Sequence, residues 1–163
     1  MHPIPDRFEC YELCVQSPRH VVGFLRALFL AENGSDPTVL GEDFSGTCAV
    51  SRRWCKELDG ARAICVDLDR DALAWARARA ADDGVANQIR FVHADCFTEA
   101  SASAHAAASN DPSRDLPCDV CFVGNFSIGY AHDRPTLVRY LSRTRERLLR
   151  ARMGFSGGVF ACD

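Results

Sequence analysis

Residues 38–69 read TVLGEDFSGTCAVSRRWCKELDGARAICVDLD, and this stretch decides the fold. A short apolar run enters a turn on Ser45-Gly46-Thr47, an amphipathic segment follows, and a second apolar run closes on Asp67. Parallel strands need a crossover, which a helix supplies, so the pattern is that of a βαβ unit. Asp67 follows Gly46 by about twenty residues, at the carboxyl end of the second strand, where an acid can accept both hydroxyls of a ribose. Nucleoside binding is the first functional inference. Glu42 and Asp43 close the first strand just before the turn. Two acids there repel a pyrophosphate and attract a compact cation, an ammonium or a sulfonium. The turn Phe44-Ser45-Gly46-Thr47-Cys48-Ala49 keeps one glycine where the dinucleotide fingerprint wants G-x-G-x-x-G, so a nicotinamide dinucleotide fits poorly.

These residues resemble the class I S-adenosylmethionine-dependent methyltransferases. The closest likeness is to bacterial members whose first motif reads E-D-F-C-G-T, which Glu42-Asp43-Phe44-Ser45-Gly46-Thr47 matches, while Val66-Asp67-Leu68-Asp69 matches the second motif. In the general family pattern, two further glycines fall where Phe44 and Cys48 stand. The resemblance spans residues 7–163 and implies an α/β, Rossmann-like methyltransferase fold, a mainly parallel sheet with helices on both faces. The family sheet has the order 3-2-1-4-5-7-6; this sequence runs out after the fifth strand, so the expected sheet is 3-2-1-4-5. An uncovered fifth-strand edge would favour a homodimer.

The same resemblance implies S-adenosyl-L-methionine as cofactor and S-adenosyl-L-homocysteine as product. Glu42 or Asp43, with Phe44, Ser45 and Gly46, would serve the methionine end; Asp67, with Leu68 beside it, the ribose; Asp95 and Cys96 the adenine. A plain helix cap is the other reading of Asp95. In the family an N-terminal segment lies across the mouth of the cofactor site, which makes Tyr11 and Gln16 lid candidates; the alternative is a helix packed outside the sheet. Gly124-Asn125-Phe126-Ser127 stands at the fourth motif and is similar to the G-N-S stretch of small-amine N-methyltransferases, apart from Phe126. Asn125 therefore either touches cofactor or acceptor or simply makes a turn, and Asn125, Tyr130 and His132 are the candidates for handling the acceptor.

The chain of 163 residues suits a single domain, with a formal charge of −3 and nine cysteines. That charge gives no electrostatic footprint for nucleic acid. The most apolar run, Val21 to Ala31, is interrupted by Arg26 and too short to span a bilayer. The N-terminus MHPIPDRFEC lacks the charged and apolar regions of a signal peptide, which makes the cytoplasm the expected compartment. The odd cysteine count and apolar settings favour reduced thiols. Cys118 and Cys121 have CxxC spacing without a second pair, and strand alternation would point them to opposite faces, so no metal site is expected.

Along the chain, helices are expected over Asp6 to Gln16, Pro18 to Ala31 (with Val21, Leu25, Leu28 and Phe29 inward) and Thr47 to Leu58 (with Val50, Trp54 and Leu58 inward). Residues 1–36 form an N-terminal helical segment on this reading. Asp69 caps a helix whose inner stripe is Leu73, Ala76 and Ala80, with Gly84 as its stop. Ile89 to His93 and Asp119 to Gly124 are strands, and Thr98 to Pro117 changes to Ala, Ser, Asp and Pro, which predicts a mobile surface insertion with His105 inert. A helix from about Pro135 to Arg150 carries arginines at 139, 143, 145, 147 and 150, spread as on a solvated exterior; Gly157 to Cys162 reads as a turn into the fifth strand. The expected activity is methyl transfer to a small-molecule amine. The rivals are a catalytically incomplete module that binds S-adenosylmethionine, a nicotinamide-dependent oxidoreductase, and an RNA-modifying enzyme drawing on the last helix.

Overall fold

The computed structural model describes residues 6–15, 17–97, 116–150 and 157–163. Gln16, His105 and most of the expected insertion lie outside them. Five strands form one sheet: β1 (Val39–Asp43), β2 (Arg62–Asp67), β3 (Ile89–His93), β4 (Val120–Val123) and β5 (Val159–Cys162). Every pairing is parallel and the order is β3-β2-β1-β4-β5, as expected. The sheet order reverses beside β1, where β2 lies on one side and β4 on the other. A crevice opens at such a switch point, outside the carboxyl ends of the strands.

Among the described residues, five helices accompany the sheet: α1 (Arg7–Val15), α2 (Pro18–Asn33), α3 (Ala49–Glu57), α4 (Arg70–Asp82) and α5 (Arg134–Arg150). Pro18 opens α2, and Gly34 closes it in left-handed conformation, its N–H reaching the Leu30 carbonyl. The inward stripe of α2 is Val22, Leu25 and Phe29, with Val21 and Leu28 half-buried. Asp69 caps α4 by accepting from the N–H groups of Asp71 (2.8 Å) and Ala72 (3.1 Å), a contact worth about 1 kcal/mol. Leu73, Ala76 and Ala80 are buried beneath it, as the spacing predicts.

The core has two sides. Leu40, Ala63, Cys65, Val120 and Phe122 pack with the inner stripes of α2, α3 and α4. Ile64, Val66, Val92 and Val123 pack on the other face with Tyr140 of α5. Alternation along each strand divides its side chains between these layers. The start of β1 is pinned by Asp119, whose carboxylate accepts from the N–H groups of Thr38 (2.6 Å) and Val39 (2.9 Å).

Two expectations give way here. Cys118 precedes the first residue of β4, so strand alternation does not govern it; it lies with Cys121 and Leu148 in one buried cluster. The arginines of α5 are not all solvated either. Arg143 donates to the Cys96 carbonyl (2.8 Å), and Arg147 enters the core, where its guanidinium meets both oxygens of Asp43 at 3.0 and 2.8 Å. Only 14% of the Arg147 side chain and 3% of Asp43 remain exposed. Burial alone would lower the Arg147 pKa, but the adjacent Asp43 overrides it and raises it. The Tyr140 hydroxyl also donates to Asp43, at 2.8 Å. Gly41 is required beside this pair, because a Cβ there would come within 2.7 Å of the pinned guanidinium.

Truncating Arg147 to Ala strands a buried carboxylate and should cost about 3–5 kcal/mol in urea unfolding. The double replacement Asp43→Asn with Arg147→Met removes both charges and should recover most of that loss. Equal losses in the two proteins would mean that the ion pair is not what α5 supplies.

Candidate functional site

A cavity of about 870 Å³ opens at the carboxyl ends of the first three strands. Its floor is the turn between β1 and α3. Phe44, Gly46 and Cys48 all hold left-handed backbone there, at φ 56°, 50° and 53°. Only Gly46 adopts this without steric cost, and each of the other two residues carries strain of about 1–2 kcal/mol. The backbone thus follows a glycine-type path at every second residue, although two of the three positions hold side chains. Phe44 puts its ring to use against Phe97 (centroids 5.0 Å apart), closing one wall of the cavity.

Asp67 fixes this turn from the neighbouring strand. One carboxylate oxygen accepts from the Gly46 N–H at 2.6 Å and the other from the Asp69 N–H at 2.8 Å. Each oxygen has a second lone pair, which a sugar hydroxyl can use. Asp95 follows β3, lines the same cavity and accepts from the Phe97 N–H at 2.8 Å. Cys96 lines the cavity beside it, and burial pushes its thiol pKa well up, so it acts as a neutral wall. Thr47 also lines the cavity, and its buried hydroxyl has no hydrogen-bond partner among the described residues.

The structure brings Tyr11, Phe44, Gly46, Asp67, Leu68, Asp95, Cys96 and Tyr130 to this one cavity. Ser45 is buried just beneath it, its N–H bonded to the Val66 carbonyl (3.0 Å). Glu42 and Asn125 line a separate space of about 60 Å³ that shares Phe44 as a wall. Asn125 also reaches across to α1, donating to the Tyr11 hydroxyl at 2.7 Å. His132 is exposed and lines neither space. Asp43 departs from the expectation: neighbouring residues on a strand face opposite ways, so Asp43 turns toward Arg147 while Glu42 turns toward α3. Arg7, Phe8, Phe97 and Ser127 line the cavity without having been singled out from the sequence. A signal for the first two existed, since positions 7, 8 and 11 share one helical face.

Glu42 is 3% exposed and accepts from the Ser51 N–H (2.9 Å) and hydroxyl (2.5 Å). Burial pushes its pKa up to about 7, against the opposing hydrogen bonds from Ser51.

Against known proteins, no family model and no curated protein matches the sequence. Solved structures do. An S-adenosylmethionine-dependent methyltransferase from Clostridium acetobutylicum superposes with a TM-score of 0.68 at 17% identity, over 94% of this chain and 54% of its own. The sugar N-methyltransferase KedS8 from Streptoalloteichus sp. gives 0.68 at 16%, over 100% and 55%. The chain has the methyltransferase fold. A third such protein, from Geobacter sulfurreducens in complex with S-adenosyl-L-homocysteine, gives 0.57 at 20%, over 99% and 56%. The chain therefore spans about half the length of these three structures. Within the methyltransferase fold, the cavity sits at the crevice that the strand order creates.

The Glu42 shift has a testable sign. Its folded pKa of about 7 lies above the ordinary 4.5. The native state therefore keeps a proton that the unfolded chain releases, and this contribution is full below pH 4.5 and lost as pH rises through about 7. It amounts to roughly 3 kcal/mol. Urea unfolding of Glu42→Gln should show the variant gaining on the parent from pH 5 to pH 8. Parallel stability profiles would place the raised pKa elsewhere.

Proposed function

We propose that residues 1–163 act as one S-adenosylmethionine-binding domain that transfers a methyl group to a small-molecule amine. The observation that carries this reading is the turn at Phe44–Cys48, which keeps a glycine-type backbone path and is held by a carboxylate at the end of β2. The residues present fit the cofactor. Asp67 can receive ribose hydroxyls, and Asp95 and Cys96 border the place for a base. Glu42 lines the smaller space that shares Phe44 as a wall with the cavity, and Asp43 is spent on Arg147. A nicotinamide dinucleotide has less support, because Asp69 and Asp95 add to the negative charge of the cavity where its pyrophosphate would lie.

S-adenosylmethionine would supply an activated methyl carbon on sulfonium, which an acceptor nitrogen's lone pair would take while the C–S electron pair would stay on sulfur and a proton would pass to water. The chain's own tasks are alignment and exclusion of water. Phe44 and Phe97 wall the cavity from one side, and Tyr11 closes toward Asn125 from α1. Tyr130 and Asn125 remain the candidates for orienting the acceptor. The RNA reading loses support, because Arg143 and Arg147 are committed within the fold.

Calorimetric titration with S-adenosylmethionine, S-adenosylhomocysteine and NAD tests the reading. Saturable binding of the two sulfur nucleosides without NAD is expected. Asp67→Ala should weaken S-adenosylhomocysteine by at least about tenfold, or 1.4 kcal/mol, while still unfolding cooperatively. Unchanged affinity in that variant would remove Asp67 from the site, and tighter binding of NAD would sink the proposal.

A further inference from the structure

β2 and β3 end side by side, with Asp67 and His93 partnered in register. Past that point the chain of β2 turns through Leu68 and Asp69 into α4, and Asp67, Leu68 and Asp69 all line the large cavity. The two acids are fixed by contacts already described: the Asp67 carboxylate holds the N–H groups of Gly46 and Asp69, and Asp69 caps α4. Leu68 between them is 65% exposed, so burial does little to hold it. Its carbonyl is met instead by His93, whose Nε2 lies 3.0 Å away.

The same nitrogen has a second neighbour. Arg70 Nε, from the first turn of α4, lies 3.4 Å from it. A carbonyl oxygen only accepts and a guanidinium only donates, while an imidazole nitrogen carries either a hydrogen or a lone pair. His93 Nε2 therefore serves one neighbour at a time. With a hydrogen it donates to Leu68 and ties the turn after β2 to the end of β3; with a lone pair it accepts from Arg70 and releases the Leu68 carbonyl. His93 is exposed, so packing forces neither state. A molecule that favours one of two such states shifts their ratio by its preference.

We infer that His93 is a positioning residue for the nucleoside edge of the cavity: its Nε2–H holds Leu68 in place for the cofactor, and an occupied cavity draws the hydrogen onto Nε2. This deepens the methyltransferase reading and rests on it, because that reading assigns Asp67 and Leu68 to the ribose. His93 does not itself line the cavity. Its effect passes through the Leu68 carbonyl, whereas Asp67 offers its carboxylate to the ligand directly.

The test is calorimetric titration of the full chain with S-adenosylhomocysteine at one fixed pH, on the parent and on variants shown by urea to unfold cooperatively. His93→Ala should weaken binding about fivefold, the scale of one net hydrogen bond. His93→Gln keeps an N–H donor without the tautomer choice and should stay within about twofold of the parent. Arg70→Met removes the competing donor and should bind no more weakly than the parent. Nitrogen-15 NMR of the imidazole should show Nε2 of His93 gaining hydrogen as S-adenosylhomocysteine is added. Undiminished binding by His93→Ala, no recovery in His93→Gln, a loss in Arg70→Met as large as in His93→Ala, or an unmoved tautomer would each overturn the positioning role alone. Absence of S-adenosylhomocysteine binding to the folded parent would instead overturn the methyltransferase reading beneath it.

Discussion

The central strand β1 ends in two consecutive buried carboxylates, and much of the molecule is arranged around neutralising them. Alternation sends Glu42 to the α3 side and Asp43 to the α5 side, so each acid needs its own partner. An isolated ion in such a place is prohibitively costly. The two faces solve this differently. On one, Ser51 supplies its N–H and hydroxyl, and the carboxyl retains its proton up to near neutrality. On the other, a guanidinium and a phenol converge, and burial together with Asp43 keeps the Tyr140 proton in place far above its usual pKa. The glycine at position 41 and the inward turn of Arg147 follow from the second solution.

This arrangement also sets the cavity floor. Tyr140 holds Asp43 and at the same time packs its ring edge-on to Phe97, with centroids 5.5 Å apart. Phe97 in turn meets Phe44 in the strained turn. One chain of contacts therefore links the ion pair in the core to the wall of the site. A neutral, well-packed floor leaves the negative charge of the cavity to Asp67, Asp69 and Asp95 at its edge.

The strand order and the helix faces were legible because apolar runs, caps and turn residues agree with one another from residue 38 to residue 93. Asp67 could be placed for the same reason: its distance from Gly46 follows from the length of one helix and one strand. Asp43 was misplaced although period-two alternation already separates it from Glu42. Arg147 lay beyond reach, since a helical wheel cannot say which of several arginines will find a buried acid across the sheet. Cys118 was misread because its direction depends on where β4 begins. The left-handed backbone at Phe44 and Cys48 had no side-chain signal; phenylalanine and cysteine argue against that conformation, and closure between β1 and α3 imposes it.

No side chain from Arg7 to Cys14 is buried, yet α1 supplies Arg7, Phe8 and Tyr11 to the cavity. It is held by ion pairs of Glu12 with Arg52 and of Arg79 with Glu9, and by Phe8 against Trp75 at 5.8 Å. The Glu9–Arg79 pair is exposed and contributes little, whereas the Glu12–Arg52 pair is mostly buried; with no buried side chain between Arg7 and Cys14, lifting this helix still costs less than opening the sheet. Its amides should exchange with solvent through local opening, ahead of those of β1. A molecule bound beneath α1 would then leave by that local opening rather than by unfolding of the sheet.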